Sequence, residues 1–192
     1  MSLIEELAGK IQALEHELDA ELAKRRAGLR IGLENGRVAF EEEILRRHRE
    51  LRTQLSAYIL RARLLVVLTA PLVYALIVPL ALLDLFVTVY QAVCFPVYRI
   101  EKVKRRDYFA FDRGHLAYLN AVEKLNCAYC SYANGLIAYA REIAARTEQY
   151  WCPIKHARRV IGAHAHYAMF DDYGDAEAFR KRQAEFQKVL GE

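Results

Sequence analysis

Ile4, Leu7, Ile11, Leu14 and Leu18 recur at alternating steps of three and four, with Glu and Lys between them. That spacing lines apolar side chains along one stripe of an α-helix and predicts an amphipathic arm with a heptad seam. The seam covers fewer than three heptads, so a short coiled coil and a helix laid on a partner helix of the same domain fit equally. The pattern falters near Gly28, Gly32 and Gly36, where Arg30, Glu34 and Arg37 intervene, and a loosened stretch or turn is expected around Asn35-Gly36. A second helical pattern runs through Val38, Ile44, Leu45, Leu51, Leu55 and Tyr58, decorated by Arg46, Arg47, Arg49 and Arg52. Residues 1–58 thus read as a helical arm, either a helical hairpin or one long interrupted helix.

From Leu64 to Tyr98 the only carboxylate is Asp84. The run Leu64–Leu83 has roughly the 20 residues that one membrane-spanning helix needs. As one straight helix the whole block would reach about 50 Å at ~1.5 Å per residue, beyond a ~30 Å hydrocarbon core. A bend is expected at Pro79-Leu80-Ala81, because Pro79 disrupts the preceding helix and can start the next. Arg61 and Arg63 stand at one end; Arg99, Lys102, Lys104, Arg105 and Arg106 stand at the other. Basic flanks stay on the cytoplasmic side, so both ends are placed there and residues 59–98 read as a membrane hairpin of full or partial depth. A single tilted span is the alternative, and a buried soluble helix pair the third. In the hairpin Asp84 marks the wet turn; otherwise it is an intramembrane functional carboxylate.

Residues 99–192 read as a cytoplasmic helical domain. Asp112 is expected to cap a helix carrying Leu116, Leu119, Val122 and Leu125. Asn134-Gly135 reads as a break, and Leu136–Tyr150 as another helix. A loop follows around Asp171-Asp172-Tyr173-Gly174, then a final helix opened by Asp175. The fold class is therefore all-α, membrane-anchored, with a helical arm, an apolar hairpin and a C-terminal helical domain.

Composition sharpens this in two places. Hydrophobic residues make up 54% of the 192, yet the mean hydropathy is close to zero, so the apolar excess is concentrated in one block. The net charge of +4 is mild, and the Arg46–Arg52 segment beside that block fits anionic lipid headgroups better than nucleic acid. The start, Met1-Ser2-Leu3-Ile4-Glu5-Glu6, is acidic and amphipathic, unlike a secretory leader. Cysteines in a cytosolic setting point to metal or redox chemistry more than to structural disulfides. Cys94, inside the apolar block, reads as a small hydrophobe.

The candidate chemistry lies in Cys127-Ala128-Tyr129-Cys130 and Cys152-Pro153-Ile154-Lys155-His156. Cys127, Cys130, Cys152 and His156 have the ligand types of a tetrahedral zinc site. An iron-sulfur cluster is the alternative cofactor, although the usual cysteine spacings for one are absent. Lys124, Lys155, Arg158 and Arg159 would balance the charge of a thiolate-rich centre. If residues 152–156 are helical, Cys152 and His156 share a face. A helix over Leu136–Tyr150 would separate the pairs by about 20 Å at ~1.5 Å per residue, so the flanking segments fold back along it, the helix is shorter than it reads, or the pairs meet between subunits. The competing readings are a dithiol-disulfide pair at Cys127 and Cys130, and cysteines that only pack a helical core.

His115, His164 and His166 are weaker candidates, with exposed or locally hydrogen-bonded roles expected. Tyr118, Tyr129, Tyr132, Tyr139, Tyr150 and Trp151 crowd the cysteine region and fit core or membrane-interface packing. P-loop, Rossmann and nucleophile-elbow signatures are absent, and Asp171, Asp172 and Asp175 lack EF-hand spacing. No complete catalytic signature emerges, so a non-enzymatic role is expected.

The block Glu123-Lys124-Leu125-Asn126-Cys127, with Arg141-Glu142-Ile143-Ala144-Ala145-Arg146-Thr147-Glu148-Gln149-Tyr150-Trp151-Cys152-Pro153-Ile154-Lys155-His156, resembles uncharacterised bacterial proteins with a hydrophobic segment upstream. The resemblance covers the C-terminal half. It implies a bacterial inner-membrane setting, and no activity or functional residue.

The sequence therefore leads to a metal-binding membrane protein with both termini cytoplasmic, structural or electron-transferring within a membrane assembly. A helical scaffold at the membrane is the alternative, and a CxxC thiol-disulfide protein the third. The expected partners are the bilayer and its anionic headgroups, with a second copy or a partner helix on the N-terminal arm; nucleic acid is not among them.

Overall fold

The computed structural model describes residues 3–28, 31–34, 37–40 and 42–190. Nine elements follow in chain order: α1 (Leu3–Gly28), β1 (Ile31–Glu34), β2 (Arg37–Phe40), α2 (Glu42–Glu50), α3 (Leu55–Arg61), α4 (Leu64–Ala75), α5 (Ile77–Val97), α6 (Ala121–Trp151) and α7 (Ala176–Leu190), with three 3₁₀ turns between. The protein is α-helical apart from one short ribbon. Its two compact units are Met1–Ile77 with Ala110–Ala133, and Val78–Phe109 with Asn134–Glu192.

In the first unit, α1 is one uninterrupted helix whose seam residues Leu7, Ile11, Leu14, Leu18 and Leu22 are all exposed. β1 and β2 pair antiparallel, with Ile31 opposite Phe40, Leu33 opposite Val38 and Glu34 opposite Arg37. Val38 therefore belongs to a strand and not to the helical pattern expected for it. The alternation of apolar residues on either side of an Asn-Gly dipeptide is a hairpin signal, and it outweighs the weak helical spacing. The turn expected at Asn35-Gly36 lies outside the described residues.

α6 starts later than its sequence suggests. Asp112–His115 is only a 3₁₀ turn. The true cap is Asn120: its Oδ1 accepts from the Glu123 backbone N–H at 3.0 Å, and Glu123 Oε2 accepts from the Asn120 N–H at 2.8 Å. This reciprocal pair satisfies two N–H groups that a helix start leaves open, an arrangement Asp112 does not make.

Leu64–Val97 is, among the described residues, the one helix long and apolar enough to cross a membrane, and its most apolar stretch has no buried residue. The helical ladder falters at Leu76, whose N–H turns back to Val73 at 3.3 Å. Pro79, in the first turn of α5, has no N–H to return to Ala75. The Tyr129 hydroxyl from α6 supplies an extra donor to the Val73 carbonyl at 2.8 Å, and the Tyr74 hydroxyl donates to Asn126 Oδ1.

In the second unit, α5 runs straight through Asp84, so the expected turn there does not form. The helix ends instead at Arg99, in the left-handed region at φ 56°. Ile100 N–H bonds the Phe95 carbonyl at 2.8 Å and Arg99 N–H bonds the Pro96 carbonyl at 3.3 Å, the paired closure of a Schellman motif.

The core gathers Phe95, Val103, Leu136, Tyr139, Ile143, Ala145 and Phe170. α6 continues unbroken through Asn134-Gly135, where a break is expected from sequence. Gly135 is there for proximity: a Cβ on it would stand 2.6 Å from the Tyr108 carbonyl oxygen and 3.2 Å from the Phe109 ring.

Downstream, Ile154 and Asp171 form a parallel bridge, with Lys155 N–H donating to the Asp171 carbonyl and Asp171 N–H to the Pro153 carbonyl, both at 2.8 Å. Arg182 of α7 grips the Asp171 carboxylate at 2.6 and 3.0 Å. Asp175 caps α7 as expected, accepting from Ala178 N–H at 2.9 Å.

Candidate functional site

Cys127 and Cys130 sit three residues apart on α6, half-buried and exposed respectively; Cys152 and His156, both exposed, follow the end of that helix. Residues 152–156 are not helical: Ile154 N–H turns back to the Cys152 carbonyl at 2.7 Å and Ile154 bridges to Asp171, so Cys152 and His156 do not share a helix face. His156 instead stacks its ring on Tyr167 at 6.0 Å and gives its backbone N–H to the Tyr167 hydroxyl at 2.6 Å. From Cys130 to its end, α6 rises about 30 Å at ~1.5 Å per residue. Among the described residues, no three His, Cys, Asp or Glu side chains gather where a metal ion could be held. No disulfide joins the four cysteines.

What the second unit does bring together is a polar lining along one side of α5. Asp84, Gln91 and Tyr98 are seven residues apart, hence on one helix face. Arg105 clasps Asp84 with both terminal nitrogens, one of them 2.7 Å from Oδ2. Its guanidinium lies 4.1 Å from the Phe109 ring centre and 5.7 Å from that of Tyr139. Gln91 is buried: its Oε1 accepts from Val103 N–H at 2.8 Å, and its amide donates to the Tyr139 hydroxyl. An amide in an apolar helix is stable only when its donors and acceptor are met, and here another segment of chain meets them.

At the C-terminal end of α5 lies a cleft of ≈ 330 Å³ lined by Tyr98, Arg99, Glu101, Arg146, Tyr150 and His166, among others. Glu142 holds Arg146 at 2.8 Å and His166 at 3.1 Å, while Arg146 also donates to the Glu101 carbonyl at 2.7 Å. His164 meets Glu148 at 2.8 Å. Burial pushes the Glu142 carboxyl up, but hydrogen bonds and charge from Arg146 and His166 outweigh it and hold the carboxyl below its ordinary range. Burial, followed by the Glu142 charge, raises the Tyr108 phenol against the opposing pull of Arg146.

His164 and His166, expected to be exposed or locally hydrogen-bonded, are instead half-buried and bonded to α6 carboxylates far away in sequence. Tyr98 and Tyr150 of the cleft form a ring cluster with Trp151, with centroids 5.1–5.4 Å apart. Gln91, Arg105, Glu142 and Arg146 were not distinguishable as site residues by type alone. The seven-residue step from Asp84 to Gln91 was the available signal.

The opposite stripe of α5 is different. Leu82, Leu85, Phe86, Val89, Val93 and Val97 are all exposed, from 51% at Val89 to 72% at Val97. No protein-family model, curated protein or solved structure matches the chain.

Proposed function

We propose that this protein is a non-enzymatic helical scaffold anchored to a membrane. The observation that supports the reading is Leu64–Val97: a long apolar helix with no buried residue in its most apolar stretch and with basic residues before and after it. Apolar surface of that extent is unfavourable in water, and lipid relieves it. The exposed seam Leu7, Ile11, Leu14, Leu18 and Leu22 on α1 gives the anchor its purpose, because a seam of this spacing accepts a second helix. The polar lining of α5 consists of met hydrogen bonds and ion pairs, a design for rigidity rather than turnover.

Fractionation of cells expressing the full chain tests the anchor: the protein should remain with membranes through a high-salt wash, and recovery in the soluble fraction would overturn the reading. Leu14→Lys should abolish cross-linking through the arm while leaving membrane retention intact.

Metal binding is the second reading, favoured by the three-residue step that turns Cys127 and Cys130 to one side of α6. With α6 unbroken after that pair, we place a zinc or iron-sulfur centre on Cys127, Cys130, Cys152 and His156 between two copies of the chain, in a bacterial inner-membrane assembly with both termini cytoplasmic. Elemental analysis after anaerobic purification should then find metal in a dimer and none in a monomer.

A further inference from the structure

Lipid on every side is what a helix crossing a bilayer meets, unless protein shields it. α5 has two unlike sides. Asp84, Gln91 and Phe95 are covered by Arg105, Val103 and Tyr139 of the same unit. Tyr90 of α5 meets Thr147 of α6 at 3.1 Å, one residue from Arg146 and Glu148. The Arg146–Glu142–His166 and Glu148–His164 groups lie on that half of α6. Charged side chains at the centre of a bilayer are strongly disfavoured, and this cover carries several along the length of α5.

The other side, Leu82 to Val97, presents only apolar side chains at helical spacing. Exposed Arg99, Lys102, Lys104 and Arg106 follow directly, with Tyr98 and Trp151 beside them. Exposed basic groups continuous with an apolar stripe are complementary to the surface of an anionic bilayer.

We propose that α5 lies along the membrane surface instead of crossing it. Its outer stripe Leu82, Leu85, Phe86, Val89, Val93 and Val97 enters the acyl boundary, and its polar cover faces water. This rests on the membrane-anchor reading and specifies its geometry. An in-plane helix buries its apolar face by only about 5–10 Å, so every residue of the stripe sits at one depth.

The test uses the full chain with its four cysteines replaced by serine and one nitroxide label at a time. The labelled sites are Leu82→Cys, Phe86→Cys, Val89→Cys, Val93→Cys and Val97→Cys, bound to phosphatidylglycerol–phosphatidylcholine vesicles. Relative accessibility to oxygen and to a water-soluble nickel chelate reports depth. Equal shallow depth at all five sites is expected; these positions are exposed, so the labels do not disturb the core.

A depth changing by ~1.5 Å per residue would overturn the in-plane helix while leaving the membrane anchor standing. Labels shielded from both reagents and coupled to another label would place a second copy on the stripe and overturn the lipid assignment. Failure of the chain to bind vesicles would sink both readings. Lys102→Gln and Lys104→Gln should each weaken binding to these vesicles about five-fold, with no change on phosphatidylcholine alone; equal affinity of the wild-type chain for both vesicles would overturn the anionic preference.

Discussion

Arg105 reaches back along α5 to clasp Asp84 with both guanidinium nitrogens, while its flat face lies over the Phe109 ring. The Asp84 side chain is 16% exposed and that of Arg105 44%, so the pair is partly shielded from water. Two-point geometry on a carboxylate is among the stronger polar contacts available to a side chain. Asp84→Asn should lower unfolding stability in non-ionic detergent by about 1–3 kcal/mol. Arg105→Met alone should do similar damage, and the double variant should lose less than the two single losses combined. Strict additivity would show that the clasp contributes nothing.

A different packing relationship sets the second expectation. Gly135→Ala places a methyl group 2.6 Å from the Tyr108 carbonyl oxygen, a backbone atom that cannot swing aside. Helix propensity alone would favour the alanine by up to ~1 kcal/mol; overpacking should reverse the sign and cost about 1–3 kcal/mol. Gly9→Ala in α1 is the control, because nothing lies within 4 Å of its added carbon. Thermal unfolding should therefore move in opposite directions for the two variants.

These two sites also show where the sequence was readable. The first helix, the apolar block, the interruption near Pro79 and the Asp175 cap are local properties of spacing and capping. Gly135 was misread as a break because its reason, the Tyr108 carbonyl, comes from another segment. Asn120-x-x-Glu123 is a local capping signal that prevails over Asp112 because its reciprocal bonds satisfy two N–H groups at once. Asp84 read as a turn because its partner Arg105 lies 21 residues on. Cys127, Cys130, Cys152 and His156 have ligand chemistry, but residue type says nothing about whether an unbroken helix fills the interval. His164 and His166 read as exposed or locally hydrogen-bonded, whereas their partners Glu148 and Glu142 lie 16 and 24 residues away and are brought to them only by the fold.

Glu142 gives the fold a pH dependence of definite sign. Its ordinary pKa is 4.5, and Arg146 and His166 hold it lower in the folded protein despite partial burial. A carboxyl depressed on folding stabilises the native state above the unfolded value, and that contribution is lost as pH falls through the folded value. Glu142→Gln should therefore be most destabilising near neutral pH and lose that effect as pH falls below about 4.5, which narrows the stability difference between neutral and acid solution. Chemical unfolding of both proteins from about pH 7 down to pH 3 measures this. Parallel curves would show that the Arg146 and His166 contacts do not favour the ionised form.

Arg99 combines backbone strain with an exposed charge. It occupies the left-handed closing position of α5, where glycine is the usual residue because a Cβ there is disfavoured by about 1–2 kcal/mol. Arg99→Gly relieves that strain but adds backbone freedom to the unfolded chain, so a net gain of about 0.5–1 kcal/mol in stability is expected. The same change removes a positive charge from the basic edge that follows the apolar stripe. Binding to phosphatidylglycerol-containing vesicles should weaken about five-fold. A variant that is more stable yet less membrane-bound would mean that arginine is kept at this position for its charge, against the preference of the backbone. If Arg99→Gly instead lowers stability, the side chain's own contacts outweigh the strain, and Arg99→Asn, which tolerates the same φ, separates the two contributions.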